Sequence, residues 1–292
     1  MCCPPWSTRW AASFCKRSKE CPGMIKLIAL DLDGTLLNPQ GQVTHQTKQA
    51  IAQARRAGVR VVLNTGRPVP EAIWFAREAG CDELISCLGG AALVDGTSGG
   101  VLRRWDIPEP SGERALELCL GRDIELMLFM GEEIVLDPFS KQSLLRTYPY
   151  PAFHDNAVTV SDPLAYKRER GLPLTKIHGD YNREAYPLRE LAALPGLELT
   201  ASNDHDFELV PAGVDKGRTL ALLALMYGIP LEECAAVGDS DNDLAMLRVA
   251  GHPIAMGNAS GAVKEQARWV TASNGEEGVA RAILRCLEQS ET

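Results

Sequence analysis

Residues 25–37 read IKLIALDLDGTLL, and the change of character in the middle of this stretch decides the fold. Ile25 to Leu30 is short, apolar and rich in branched residues, which is the composition of a parallel strand buried on both faces. It ends abruptly at Asp31 and Asp33. Open α/β sheets place ligands at the carboxyl ends of their strands, so the two carboxylates predict a site as well as a strand. Two residues apart at a strand end, they can converge on one cation, and Gly34 permits a tight turn beside them.

The pattern outward supports this reading. Thr44 to Ala57 has helical apolar spacing with Gly58 as a stop, VRVVLNTGR (59–67) begins as a strand, and a second helix is expected from about Pro70 to Ala79. Strand, helix, strand, helix implies a parallel sheet with right-handed crossovers. Between about Cys87 and Asp206 the rhythm changes to hairpin-like pairs, such as ELMLFMGEEIVLD (125–137), with helices near Glu113 to Leu120 and Arg183 to Leu194. After Glu208-Leu209-Val210 the alternation resumes: a helix at Lys216 to Tyr227, a strand at Cys234 to Val237, a helix at Asp243 to Ala250, a strand at His252 to Met256, and a last helix to about Leu287. The expectation is an α/β chain, with a Rossmann-like parallel-sheet core at 24–88 and 207–292 and an inserted α+β cap at 89–206. Residues 1–23, with weak periodicity and three prolines, are expected to be a tail without fixed order, and the pattern of the fold begins at Met24 as if that were the start.

The 292 residues, 45% hydrophobic with a mean hydropathy of −0.10, suffice for two domains. A net charge of −8 with scattered basic residues disfavours a nucleic-acid surface. No apolar run reaches membrane length, and the patch from Trp10 to Phe14 is too brief for a secretory signal. Cytoplasmic residence is the expectation, with no protein partner implied. The nine cysteines show no paired metal spacing and read as reduced thiols.

Four clusters carry chemistry. Asp31, Asp33 and Thr35 alternate as calcium-loop ligands do, but an EF-hand needs Gly and Glu where Leu36 and Gln42 stand; Asp239, Asp241 and Asp243 fail the same test at Leu244 and Ala250. Asn64-Thr65-Gly66-Arg67 follows an apolar strand, where a hydroxyl and amides at a helix start can bind a phosphoryl oxygen. Lys216 begins a helix, against the dipole, and a cation there suits a transferred phosphoryl group. In GDSDND (238–243), Asp239 can complete a cation's ligands while Asn242 and Asp243 hold Lys216 and the phosphate. Three polar strand ends in one parallel sheet make a site.

The ordered set DLDGTLL, NTGR, DKG and GDSDND resembles the haloacid dehalogenase superfamily. The position of the insertion, with ELVPAGVDKG, NDLAMLRVAGHPIAMGNA and VTASNGEEGVA, is similar to its Cof-type branch with a large α/β cap, over about residues 24–290. The resemblance implies Mg²⁺-dependent hydrolysis of a small phosphorylated metabolite through an aspartyl phosphate. It makes Asp31 nucleophile and metal ligand, Asp33 general acid/base and main-chain metal ligand, and Asp239 a metal ligand. Thr65, Gly66, Lys216 and Asn242 would bind phosphate, with Arg67 and Asp243 in support. The chain departs from its relatives at Gly89-Gly90-Ala91, where Asn-Gly-Ala is common; the two glycines are expected to form the hinge to the cap. A phosphomutase of the same chemistry, or a ligand-sensing protein that keeps the fold, are the alternatives. Arg103, Arg104, Lys176 and His178 are the cap residues able to meet a polar leaving group.

Overall fold

The structure, a computed structural model, describes residues 24–181, 188–201 and 205–288. The expected tail, and the first part of the helix expected from Arg183, lie outside the described residues. Along the chain run β1 (Leu27–Leu30), β2 (Arg60–Leu63), β3 (Leu84–Cys87), β4 (Ala92–Asp95) and β5 (Val101–Arg104). Then come β6 (Ile124–Met130), β7 (Glu133–Leu136), β8 (Ala157–Thr159), β9 (Leu174–Tyr181), β10 (Leu197–Thr200) and β11 (Asp206–Pro211). The last three are β12 (Cys234–Gly238), β13 (His252–Ala255) and β14 (Trp269–Val270).

The core sheet has the order β14-β13-β12-β1-β2, with every pairing parallel. Within it β1 lies between β12 and β2, and its four residues are fully buried, as expected of a strand covered by helices on both faces. The helix His45–Arg56 begins where the Thr44 hydroxyl accepts from Thr47 N at 3.1 Å, and Lys216–Tyr227 begins where the Asp215 carboxylate accepts from Arg218 N at 2.7 Å. The second sheet has the order β10-β11-β9-β6-β7-β8, mostly antiparallel. The chain is therefore α/β, with a parallel-sheet core and a second, inserted sheet. The five described cysteines form no disulfides. Among the described residues no helix is long and apolar enough to cross a membrane.

The strands draw the passages between the two layers elsewhere than the sequence suggests. β4 pairs antiparallel with β3, and β5 antiparallel with β4, and Ala91 to Val94 are buried in the same cluster as β1 and β2. The hairpin 92–104 therefore packs with the core, and the chain crosses at 105–107, where Ile107 joins the other sheet's cluster. The return falls after β11, which pairs with β9 and β10, and not at 206–207. The apolar faces of the cap sheet and core also merge, since Met127, Phe129 and Phe153 belong to the cluster of the parallel sheet.

The pair Gly89-Gly90 thus sits in a turn between two strands of one sheet, not at a passage into the cap. Gly90 has φ +98°, and a Cβ there would collide with the Asp215 main-chain carbonyl. Gly90→Ala is expected to destabilise the protein by at least about 1–3 kcal/mol, the scale of one residue forced into a sparsely populated backbone region. Urea unfolding reads this directly; an unchanged midpoint would show that the turn relaxes freely.

Candidate active site

The ends of β1, β2 and β12 meet at one place because the three strands are adjacent and parallel. Asp31 follows β1 directly, is 4% exposed, and its Oδ1 accepts from Lys216 Nζ at 2.6 Å. Lys216 is itself buried and donates also to Asp243 Oδ1 at 2.6 Å and Asn242 Oδ1 at 3.0 Å. Burial alone would discharge this ammonium, but Asp243 and Asp31 more than offset it and hold its pKa far above the usual lysine range. Asp31 is pushed well above the ordinary carboxylate range, first by burial and then by Asp243, with Lys216 opposing.

Asp239, at the end of β12, is pushed up to about 6 by burial and by Asp243, against the hydrogen bond from Thr35 Oγ1 at 2.7 Å. Gly34 allows that approach: its φ is +76°, and a Cβ there would collide with the Asp239 carboxylate. The oxygens of Asp31, Asp239 and Asp243 lie within 4.8 Å of one another. Asp243 is already committed, because its Oδ2 accepts from the amides of Asp239 at 2.9 Å and Ser240 at 3.1 Å while Oδ1 holds Lys216. The residues left to face a cation are Asp31 and Asp239. An all-oxygen donor set with two crowded carboxylates, Asp31 buried and Asp239 half-buried, suits a hard divalent ion.

Thr65 is fully buried behind the turn after β2, with its hydroxyl accepting from Arg67 N at 3.1 Å. Gly66 faces the cavity, and its carbonyl accepts from Lys176 Nζ of β9 at 3.0 Å. Arg67 forks onto Asp33, with Nε to Oδ2 at 2.8 Å and Nη2 to Oδ1 at 2.6 Å. Its Nη1 meets Glu71 Oε2 at 2.5 Å, and its guanidinium lies over the rings of Tyr148 and Tyr150 at 4.7 and 4.3 Å. Tyr148 returns its hydroxyl to Glu71 at 2.6 Å. Arg67 thus joins the Asp33 carboxylate to the inserted domain, a bidentate and stacked role that Lys could not fill.

All nine residues expected at the site are brought together here. Asp31, Asp33, Gly66, Arg67, Asp239 and Asn242 line a cavity of about 430 Å³, and Thr65, Lys216 and Asp243 are buried behind it. Of the four cap candidates, Lys176 and His178 line the cavity. Arg103 and Arg104 lie on β5, where Arg104 pairs with Asp106 at 2.8 Å and Arg103 stacks on Trp105.

The far wall was not legible in the sequence. Asp180, Asp206 and Glu208 line the cavity beside Lys176 and His178. The register explains this: Asp206 is opposite Asp180 and Glu208 is opposite His178, while Met127 and Phe129 of β6 stand opposite His178 and Lys176. Alternation in KIHGD and DFE placed these side chains on one face of each strand, but pairing across almost thirty residues of chain carries no local signal. Lys176 and Glu208 make a buried ion pair at 2.7 Å.

Comparison with known proteins agrees with this arrangement. A family model described as haloacid dehalogenase-like hydrolase matches residues 28–283. The chain is similar to a 5-amino-6-(5-phospho-D-ribitylamino)uracil phosphatase, YwtE, of Bacillus subtilis, with 32% identity over 288 residues that cover 90% of this chain and 98% of the relative. An HMP-PP phosphatase of Citrobacter koseri is 30% identical over 241 residues, covering 81% of this chain and 85% of the relative. A solved haloacid dehalogenase-like hydrolase from Bacillus subtilis superimposes with a TM-score of 0.78 at 29% identity, covering 89% of this chain and 99% of that one.

Proposed function

Because the chain belongs to the haloacid dehalogenase-like hydrolases, we propose that it is a phosphatase that hydrolyses the phosphate monoester of a small metabolite, with Asp31 as a covalent nucleophile. The observation that carries this reading is the buried Lys216 ammonium, held by Asp31, Asp243 and Asn242 behind the wall of a cavity large enough for a small ester. A carboxylate with a fixed cation behind it and open space before it is placed to attack phosphorus.

The residues fit Mg²⁺, which would be held by the Asp31 and Asp239 carboxylates and the Asp33 main-chain carbonyl, and which when bound supplies charge shielding between nucleophile and phosphoryl oxygens. An Asp31 oxygen attacks phosphorus, and the bond to the leaving oxygen breaks as Asp33 gives that oxygen a proton. Lys216 balances negative charge on Asp31 and on the incoming phosphoryl group. Asp33 then takes a proton from the water that cleaves the aspartyl phosphate and returns to its starting state. The fork from Arg67 engages both oxygens of the Asp33 carboxyl, so proton donation in the first step requires that this pair open. Water must be excluded during the first step, and the cap wall over the cavity is the part able to do it.

Chelation is expected to remove phosphate release from the purified protein, and Mg²⁺ to restore it. Mg²⁺ should also raise the melting temperature of the wild type but not of Asp239→Asn, since a ligand that binds only the folded state stabilises it. Full activity in excess chelator would overturn the metal assignment.

A further inference from the structure

The helix turn that carries Lys216 rests on polar side chains set inside the apolar core. Asn64, at the end of β2, is fully buried, and its Nδ2 donates to the Lys216 main-chain carbonyl at 2.8 Å and lies 3.6 Å from Met246 Sδ. Thr219, one turn into the helix Lys216–Tyr227, is fully buried as well. Its hydroxyl donates to Asp215 O at 3.0 Å and accepts from the Ser86 hydroxyl of β3 at 3.0 Å. The first two carbonyls at the start of this helix are therefore each met by a side chain.

The neighbouring short helix Leu244–Val249 comes equally close, because a Cβ on Gly217 would collide with the Ala245 main-chain carbonyl. Asn64 thus touches both helices whose beginnings surround the Lys216 ammonium, since Lys216 opens one while Asn242 and Asp243 immediately precede the other. Leu220 and Leu223 already attach the helix Lys216–Tyr227 to the core by apolar burial. Such burial rewards area and not orientation, whereas hydrogen bonds weaken steeply when misaligned and so fix orientation. Asn64 Oδ1 has no hydrogen-bond partner among the described residues, and burying such an oxygen opposes folding. The cation itself needs accurate placement: one nitrogen meets Asp31 at 2.6 Å, Asp243 at 2.6 Å and Asn242 at 3.0 Å, at a helix start whose dipole disfavours it.

We propose that Asn64, supported by Ser86 and Thr219, is a positioning residue for phosphoryl transfer: the buried amide and hydroxyls seat the first turn of the helix so that Lys216 Nζ stands on Asp31. The inference rests on the phosphatase reading of the site and deepens it. The cavity is lined by other residues, so the three act through the main chain around Lys216 and not on substrate. A misplacement of about 1 Å in a reacting site can cost as much as about 10²-fold in rate.

Hydrolysis of saturating p-nitrophenyl phosphate in Mg²⁺ tests this in a double-mutant cycle. Asn64→Leu keeps the branch at the γ carbon and is expected to lower kcat on the order of 10-fold in the wild-type background. In the Lys216→Ala background it should lower kcat by about twofold or less, because no ammonium remains to be placed. A merely structural loss would instead recur in full in both backgrounds. Thr219→Val should lower kcat severalfold, and Thr219→Ser, which keeps the hydroxyl, should recover most of it. This second pair decides the matter if Lys216→Ala does not fold. Wild-type kcat in Asn64→Leu, equal losses in the two backgrounds, or Thr219→Ser as slow as Thr219→Val overturns the positioning role while leaving the phosphatase reading intact. No hydrolysis of p-nitrophenyl phosphate by the wild type overturns that reading, and this inference with it.

Discussion

Asp31→Asn is expected to lower phosphate release by on the order of 10⁴ or more, the scale at which loss of a covalent nucleophile is felt, while the folded state is kept. The amide cannot form an acyl phosphate, and other routes are weak because uncatalysed monoester hydrolysis is so slow that enzymes accelerate it by up to about 10²¹. The fold should tolerate the change for a reason visible at the site. Asp31 is driven upward by burial and by Asp243, so its carboxylate is crowded and not a source of stability by itself. Lys216 would keep Asp243 at 2.6 Å and Asn242 at 3.0 Å. Activity should be lost with a melting temperature in chelator equal to or above that of the wild type. Residual turnover near the wild-type level would mean that another group attacks phosphorus.

Lys216→Ala is expected to act on both activity and stability. Removing one preorganised charge from a site of this kind lowers kcat by roughly 10² to 10³. The ammonium also holds apart two carboxylates, Asp31 and Asp243, that are almost fully buried. Breaking a buried ion pair by removing one partner costs on the order of 3–5 kcal/mol, because the charge left behind has no water. In this variant Asp31, already pushed up by burial and by Asp243, would hold a proton more tightly and be a weaker nucleophile. Lys216→Arg keeps the charge and should recover part of the stability, with less of kcat, since a planar fork cannot reproduce three contacts made by one nitrogen. If kcat and the unfolding free energy of Lys216→Ala both match the wild type, the cation behind the nucleophile is not Lys216.

The legible and illegible parts of this molecule differ in the range of the interactions that form them. β1 ends at Asp31, and the helix at Lys216–Tyr227 begins after Asp215, because both boundaries are written locally, as an apolar run meeting a carboxylate and as a side chain capping an amide. The meeting of Asp31, Thr65 and Asp239 followed from strand ends in one parallel sheet, which the alternation of elements implies. The partners of the hairpin 92–104 and of β11 were not available in that way. DFELVP is buried throughout, and a strand buried on every residue gives no sign of which sheet receives it. The tie from Asp33 through Arg67 to Tyr148 and Tyr150 is likewise a consequence of how the inserted domain sits on the core. The NTGR segment marked Arg67 but not its neighbours.

The central claim is that phosphorus passes through Asp31, and trapping tests it most directly. p-Nitrophenyl phosphate has a leaving group that departs without protonation, so Asp33→Asn should still be phosphorylated but lack the base that activates water for the second step. After rapid acid quench of this variant with ³²P-labelled p-nitrophenyl phosphate, the account predicts about one equivalent of hydroxylamine-sensitive label per protein. Peptide mapping should place that label on Asp31, with an equal burst of p-nitrophenol. A burst without label on the protein, or label on a residue other than Asp31, would contradict it.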